Sequence, residues 1–148
     1  MTTAFQTYKV ELQNIIPVTT TVKLQLLVST DNGSTWVATN YRWANNNIDS
    51  AATNASSGST SDSSWQIASA IPNSASGSLS GELILYDMEN GTFVPKFSSS
   101  TVYGVTPTSG WMSGGVQTSV TAITAIRFQM SSGNISSGTF VLYGVTEP

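Results

Sequence analysis

The chain has 148 residues, enough for one domain with a real core and too few for two comfortable ones. Charged residues make up only 9% against 39% hydrophobic, about three residues in ten are serine or threonine, and the formal net charge is −3. With neither cysteine nor histidine, disulfides, thiolate nucleophiles, Ser-His-Asp triads and Cys/His zinc sites are excluded. The basic residues Lys9, Lys23, Arg42, Lys96 and Arg127 are scattered, so no cationic face is available to follow a nucleic-acid backbone.

In chain order, Tyr8, Val10 and Leu12 alternate with Lys9, Glu11 and Gln13, which predicts a first strand closed by Pro17. Val22, Leu24, Leu26 and Val28 predict a second. Ser29–Trp36 is expected to turn the chain, and a third strand is expected over Trp36–Trp43. From Ala44 to Ser64 the sequence is rich in Asn, Ser, Ala and Gly with almost no apolar side chains, the composition of a low-complexity loop. Strand character resumes at Trp65 and is expected again over Leu79–Tyr86, Phe93–Phe97, Thr101–Val105, Val116–Val120, Ile123–Ser131 and Thr139–Val145. The last of these is apolar on both faces, as a strand covered on both sides would be. No helical period persists, and about eight to ten short strands broken by Gly, Pro, Asn and Ser predict an all-β fold. The expectation is a single antiparallel β-sandwich, jelly-roll-like, over residues 1–148, with a Ser/Asn-rich loop at about 45–64.

A coat poor in charge and rich in hydroxyls suits a surface whose neighbours are other protein subunits rather than a freely diffusing enzyme. No segment is long and apolar enough to cross a membrane as a helix. The N-terminus lacks the basic and apolar regions of a signal peptide, so synthesis in the cytoplasm is expected. The sequons at Asn32, Asn54, Asn90 and Asn134 then read as products of composition.

Ser29-Thr-Asp-Asn-Gly-Ser-Thr-Trp36 has the Ser-x-Asp-x-Gly-x-x-Trp form of an Asp-box. Asp31 can accept backbone N–H groups across the turn, Gly33 can take a left-handed position, and Trp36 can pack beneath; this is a structural turn. Glu82, Asp87 and Glu89 are the nearest carboxylates in sequence, but their spacing suits neither a glycosidase pair nor an EF-hand loop. Trp36, Trp43 and Trp65 are expected in the core, whereas Trp111, in the glycine-rich stretch Thr108–Gly115, is expected as an exposed loop aromatic for a ligand or a partner pocket. Ser80-Gly-Glu-Leu-Ile-Leu-Tyr86 and Ser137-Gly-Thr-Phe-Val-Leu-Tyr143 echo one another, either as two buried strands that converge on similar letters or as equivalent places in two halves of the fold.

The ending Arg127-Phe-Gln-Met-Ser-Ser-Gly-Asn-Ile-Ser-Ser-Gly-Thr-Phe-Val-Leu-Tyr-Gly-Val145 resembles the C-terminal signature of small β-sandwich domains in tailed-bacteriophage virion proteins. Tyr8–Leu12, Ile16-Pro17, Leu24–Ser34, Tyr41–Ala44 and Leu79–Tyr86 look like the rest of the same family. The resemblance implies a virion protein without catalytic residues or cofactor, and two roles compete. One is a capsid decoration or cement protein on the major capsid protein shell; the other is a tail-fibre or receptor-binding module that recognises a host glycan. The implied partners are other virion proteins, from the capsid or the tail, and further copies of the chain in a dimer or trimer. Nucleic acid and membrane are not expected. Candidate partner contacts are Phe5, Asn46, Asn47, Ser57, Ser61, Trp111 and Met112, with Met1–Gln6 and the loop over 45–64 expected between subunits.

Overall fold

A computed structural model describes residues 5–89, 92–118 and 122–146. Ten strands are present among the described residues: β1 (Thr7–Pro17), β2 (Val22–Ser29), β3 (Tyr41–Asp49), β4 (Asn54–Asp62), β5 (Trp65–Ile71), β6 (Leu79–Tyr86), β7 (Lys96–Tyr103), β8 (Ser109–Gln117), β9 (Ala125–Met130) and β10 (Ile135–Val145). They form two antiparallel sheets packed face to face, the all-β sandwich expected from the sequence. The strands divide unequally, seven in the order β10-β1-β6-β7-β8-β3-β4 and three in the order β5-β2-β9. At strand spacings of ~4.8 Å the large sheet is roughly 30 Å across and the small one roughly 10 Å, so one sheet cannot cover the other.

Alternation builds the core. In β1 Tyr8, Val10 and Leu12 point inward and are buried, while Lys9, Glu11 and Gln13 face out. Leu83, Leu85 and Phe97 continue that inner face, opposite Leu24, Leu26, Trp65 and Ile67 of the small sheet. Two ring stacks close the interface: Trp65 on Phe97 at 5.2 Å and Phe128 on Phe140 at 4.7 Å. Leu24 and Leu26 are fully buried, so truncating either to alanine would cost ~2–5 kcal/mol.

Several sequence expectations are corrected. The third strand begins at Tyr41, because the Asp-box turn continues as irregular chain through Asn40. The Ser/Asn-rich segment at 45–64 is not a loop: it is the second half of β3, a turn, and β4. Asp49 Oδ1 organises that turn by accepting the N–H groups of Ala51 and Thr53, both at 2.9 Å. Tyr41 and Trp43 anchor β3 in the core, and the register with β8 carries the strand on through Asn45, Asn46 and Asn47 whatever their side chains. The strands expected at Phe93–Phe97 and Thr101–Val105 are one, β7. β8 starts at Ser109, ahead of the expected Val116–Val120, of which Ser119 and Val120 lie outside the described residues. Met1–Ala4, Asn90 and Gly91 also lie outside them.

β10 is the largest reversal. Its apolar side chains on both faces suggest an interior strand, yet among the described residues it is an edge strand with Leu142, Tyr143 and Val145 exposed. The echo between β6 and β10 has a simple spatial form, since the two strands flank β1 on either side.

Candidate functional site

The outer face of the large sheet is built by the out-pointing half of each strand. One line across the register runs Lys9, Ile84, Ser98, Gly114, Ala44 and Gly58; the next runs Glu11, Glu82, Ser100, Met112, Asn46 and Ser56. Because most of these side chains are small, the middle of the face is sunken. Two shallow depressions of about 720 and 540 Å³ lie side by side, and Met112, at 62% exposure, stands between them with Asn46, Glu82 and Ser100. Charge on this face is largely neutralised internally. Lys9 Nζ lies 2.9 Å from Glu82 and 3.4 Å from Glu11, and the Glu82 carboxylate, then Glu11, raises the lysine pKa.

At one end of the sandwich a third cavity of about 530 Å³ lies between β3, β8 and the end of β7 on one side and the β5–β6 connection on the other. Trp111, Ser109 and Asn47 form its inner wall, Tyr103 closes it, and Pro72 and Pro107 rim it. Among the described residues no charged side chain lines it. Burial pushes the Tyr103 phenol up to about 12, against the opposing influence of the neighbouring Trp111 and Ser109 side chains. The Tyr103 hydroxyl donates to the Ser69 carbonyl. Asn47 Oδ1 and Trp111 Nε1 are buried without a well-formed hydrogen bond, as are Asn45 Nδ2, Ser99 Oγ and Thr101 Oγ1 further along the inner face.

The sequence-derived contact residues therefore separate. Asn46 and Met112 are cross-strand neighbours on the outer face, where Asn46 Nδ2 also donates to Asn54 Oδ1 at 2.9 Å. Asn47 and Trp111 are neighbours on the opposite face and open on the end cavity. Trp111 is not an exposed loop aromatic: it sits within β8 and is only 8% exposed, because the glycine-rich stretch around it is strand. Ser57 and Ser61 lie on the β4 edge, where Ser57 Oγ donates to Asn45 Oδ1 at 2.7 Å. Phe5 is at the other edge, half-buried, edge-on to Tyr8 at 5.9 Å and seated over Gly144. Trp43 and Trp65 are core, but Trp36 is only half-buried, with the Arg127 guanidinium 4.7 Å above its ring.

Among the described residues the carboxylates do not converge on one site, and Glu89 Oε2 is buried without a well-formed hydrogen bond. Glu82 pairs with Lys9, Asp87 with Lys96 at 2.7 Å, and Asp62 accepts from Trp43 Nε1 at 3.0 Å. Among the described residues no three metal-ligating side chains converge. The Asp-box is the local turn expected: Asp31 accepts from Thr35, Gly33 has φ +86°, and its Cα faces the Trp36 ring. The sequence concealed the outer face because its defining residues, Gly114, Ala44, Ser98 and Gly58, carry no hydropathy signal. Comparison with family models, with curated proteins and with solved structures returned no match.

Proposed function

We propose that this chain is a non-enzymatic structural subunit of a tailed-phage virion, and specifically a decoration or cement protein on the outside of the major capsid shell. The observation that carries the reading is the uncovered outer face of the large sheet, which is broad, nearly neutral and floored by small residues. Such a surface loses little on desolvation and lets a partner backbone approach closely. The resemblance of the C-terminal segment to phage sandwich domains supports the choice of particle. Purified subunit mixed with shells of the major capsid protein from the same virus should co-sediment saturably, and Met112→Lys should weaken the association. Failure of the unaltered chain to associate with shells would refute the reading.

A second reading, a tail adhesin for host glycan, is favoured by the end cavity. Its uncharged lining of Trp111, Tyr103, Asn47 and Ser109 suits a neutral saccharide better than an anion. A glycan array probed with the unaltered chain and with Asn47→Ala separates the two readings, since saturable binding lost in the variant would favour the adhesin. Asn47 is the better probe because Trp111 is part of the core.

A further inference from the structure

We infer that the β10 edge is a self-complementary dimer seam, at which two copies pair β10 with β10 antiparallel about a two-fold axis at Leu142. The large sheets of two protomers then run on as one.

Three features of the edge point there. β10 pairs with β1 and has no strand on its other side among the described residues, leaving backbone N–H and C=O groups open along that edge. Edges of this kind are ordinarily guarded by lysine, proline or an inward charge. Ile135–Val145 contains none of these. Leu142 and Tyr143, each 45% exposed, instead present apolar surface on opposite faces of the strand.

The unguarded stretch is also bounded. The ladder to β1 is regular from Gln13↔Thr139 to Thr7↔Val145, and register shifts interrupt it beyond Gln13. The regular edge is therefore Thr139–Val145, and Leu142 is its midpoint. Pairing two copies about that midpoint uses all of it and sets Val141 opposite the partner's Tyr143, Thr139 opposite Val145, and Phe140 opposite Gly144. A β-branched residue opposite an aromatic is a favourable cross-strand pair, while Phe140 and Gly144 keep their contacts within each protomer, on Phe128 and beneath Phe5. Each opposed pair lies on one face, so the two outer faces stay coplanar.

The other edges do not compete: in the small sheet β9 carries Arg127 and β5 is almost wholly buried, which leaves β4 of the large sheet. β4 reads Asn-Ala-Ser-Ser-Gly-Ser-Thr-Ser-Asp and is almost wholly small and polar, so neither β4–β4 nor β10–β4 pairing buries comparable apolar surface. The inference stands independently of the virion reading, because it concerns only what the chain does with itself.

The chain has no cysteine, which permits a register-specific test. Directly opposed Cα atoms in an antiparallel pair are ~4.5–5.5 Å apart, within disulfide range, whereas diagonal neighbours at ~7–8 Å are not. Leu142→Cys should therefore oxidise to a covalent dimer. Val141→Cys should cross-link when mixed with Tyr143→Cys, but neither should do so alone. Ser57→Cys on β4 should stay monomeric. By sedimentation equilibrium at about 0.1 mM, chosen because an interface this small is weak, the unaltered chain should show twice the 15.6 kDa protomer mass. Leu142→Lys, placing like charges face to face at an exposed position, should return it to 15.6 kDa, and at a dilution where the unaltered chain is also monomeric the two should melt at the same temperature. A monomeric or trimeric unaltered chain, cross-linking through Ser57→Cys, or no cross-linking of Leu142→Cys would overturn the inference.

Discussion

Trp65 of the small sheet donates its indole N–H to Ser113 Oγ of the large sheet at 2.9 Å, and the serine hydroxyl donates onward to the Gln66 carbonyl at 2.8 Å. Both side chains are buried, so this relay holds β5 against β8 at the place where β4 and the end of β3 extend beyond the small sheet. Ser113→Ala leaves a buried indole N–H and a buried carbonyl without that partner, which should cost ~1–3 kcal/mol. Urea denaturation measures it. In a Trp65→Phe background the same substitution should cost less, and equal costs in both backgrounds would show that the relay carries no coupling.

Asp31 is held by Thr35 twice, through the backbone N–H at 2.9 Å and the hydroxyl at 2.7 Å, and by the Ser29 hydroxyl at 2.7 Å. These bonds, Thr35 first, lower its pKa from the ordinary 3.8 to about 2. A depressed carboxylate contributes stability that is fully present above the ordinary value and is lost as the pH falls from about 4 through about 2. An NMR titration should place the Asp31 midpoint near 2, and Thr35→Val should move it upward. An Asp31 midpoint at 3.8 in the folded chain would contradict the turn geometry described here.

Gly115 lies where β8 crosses the core tryptophans. A Cβ there would sit 2.8 Å from the Arg42 carbonyl oxygen, 3.0 Å from Trp65 Cδ1 and 3.2 Å from Trp43 Cβ. The first obstacle is ladder backbone, which cannot move away without breaking the pairing with β3. Gly115→Ala should therefore destabilise the fold by ~1–3 kcal/mol. Gly110, whose Cβ would meet only the Ile48 carbonyl oxygen at 3.7 Å, should accept alanine with little change. Thermal melts of the two variants compare them directly, and equal melting temperatures would count against the close packing of β8 on β3.

Met112 projects from the outer face at 62% exposure, so Met112→Lys should alter stability by no more than ~0.5 kcal/mol. Any loss of partner binding in that variant would then report on the surface rather than on folding. A marked drop in its urea midpoint would show that Met112 supports the fold itself.

Legibility in the sequence followed contrast between neighbouring side chains. β1 and β2 are readable because Tyr8, Val10 and Leu12, like Val22, Leu24 and Leu26, stand against charged or amide neighbours. β4 and most of β8 are not. Serine, glycine and asparagine look alike on both faces of a strand, and these segments are strands because a neighbour's ladder pairs them. That is why residues 45–64 read as a loop and Trp111 as an exposed aromatic in a glycine-rich one. β10 misleads in the opposite sense, since its two apolar faces describe an interior strand while among the described residues it has a neighbouring strand on one side only. Of the contact candidates, Asn46 and Met112 fall together on the open face. Asn47 and Trp111 mark a different feature, because adjacent residues in a strand point to opposite sides.

We propose that the chain works by fitting its open sheet against other proteins of a virus particle. Electron cryomicroscopy of particles purified from the cells that make it tests this most directly. The expected map places the sandwich on the outside of the coat, with the Met112 face turned toward coat subunits. Particles that lack the chain, or that carry it with the Met112 face turned to solvent, would contradict the claim.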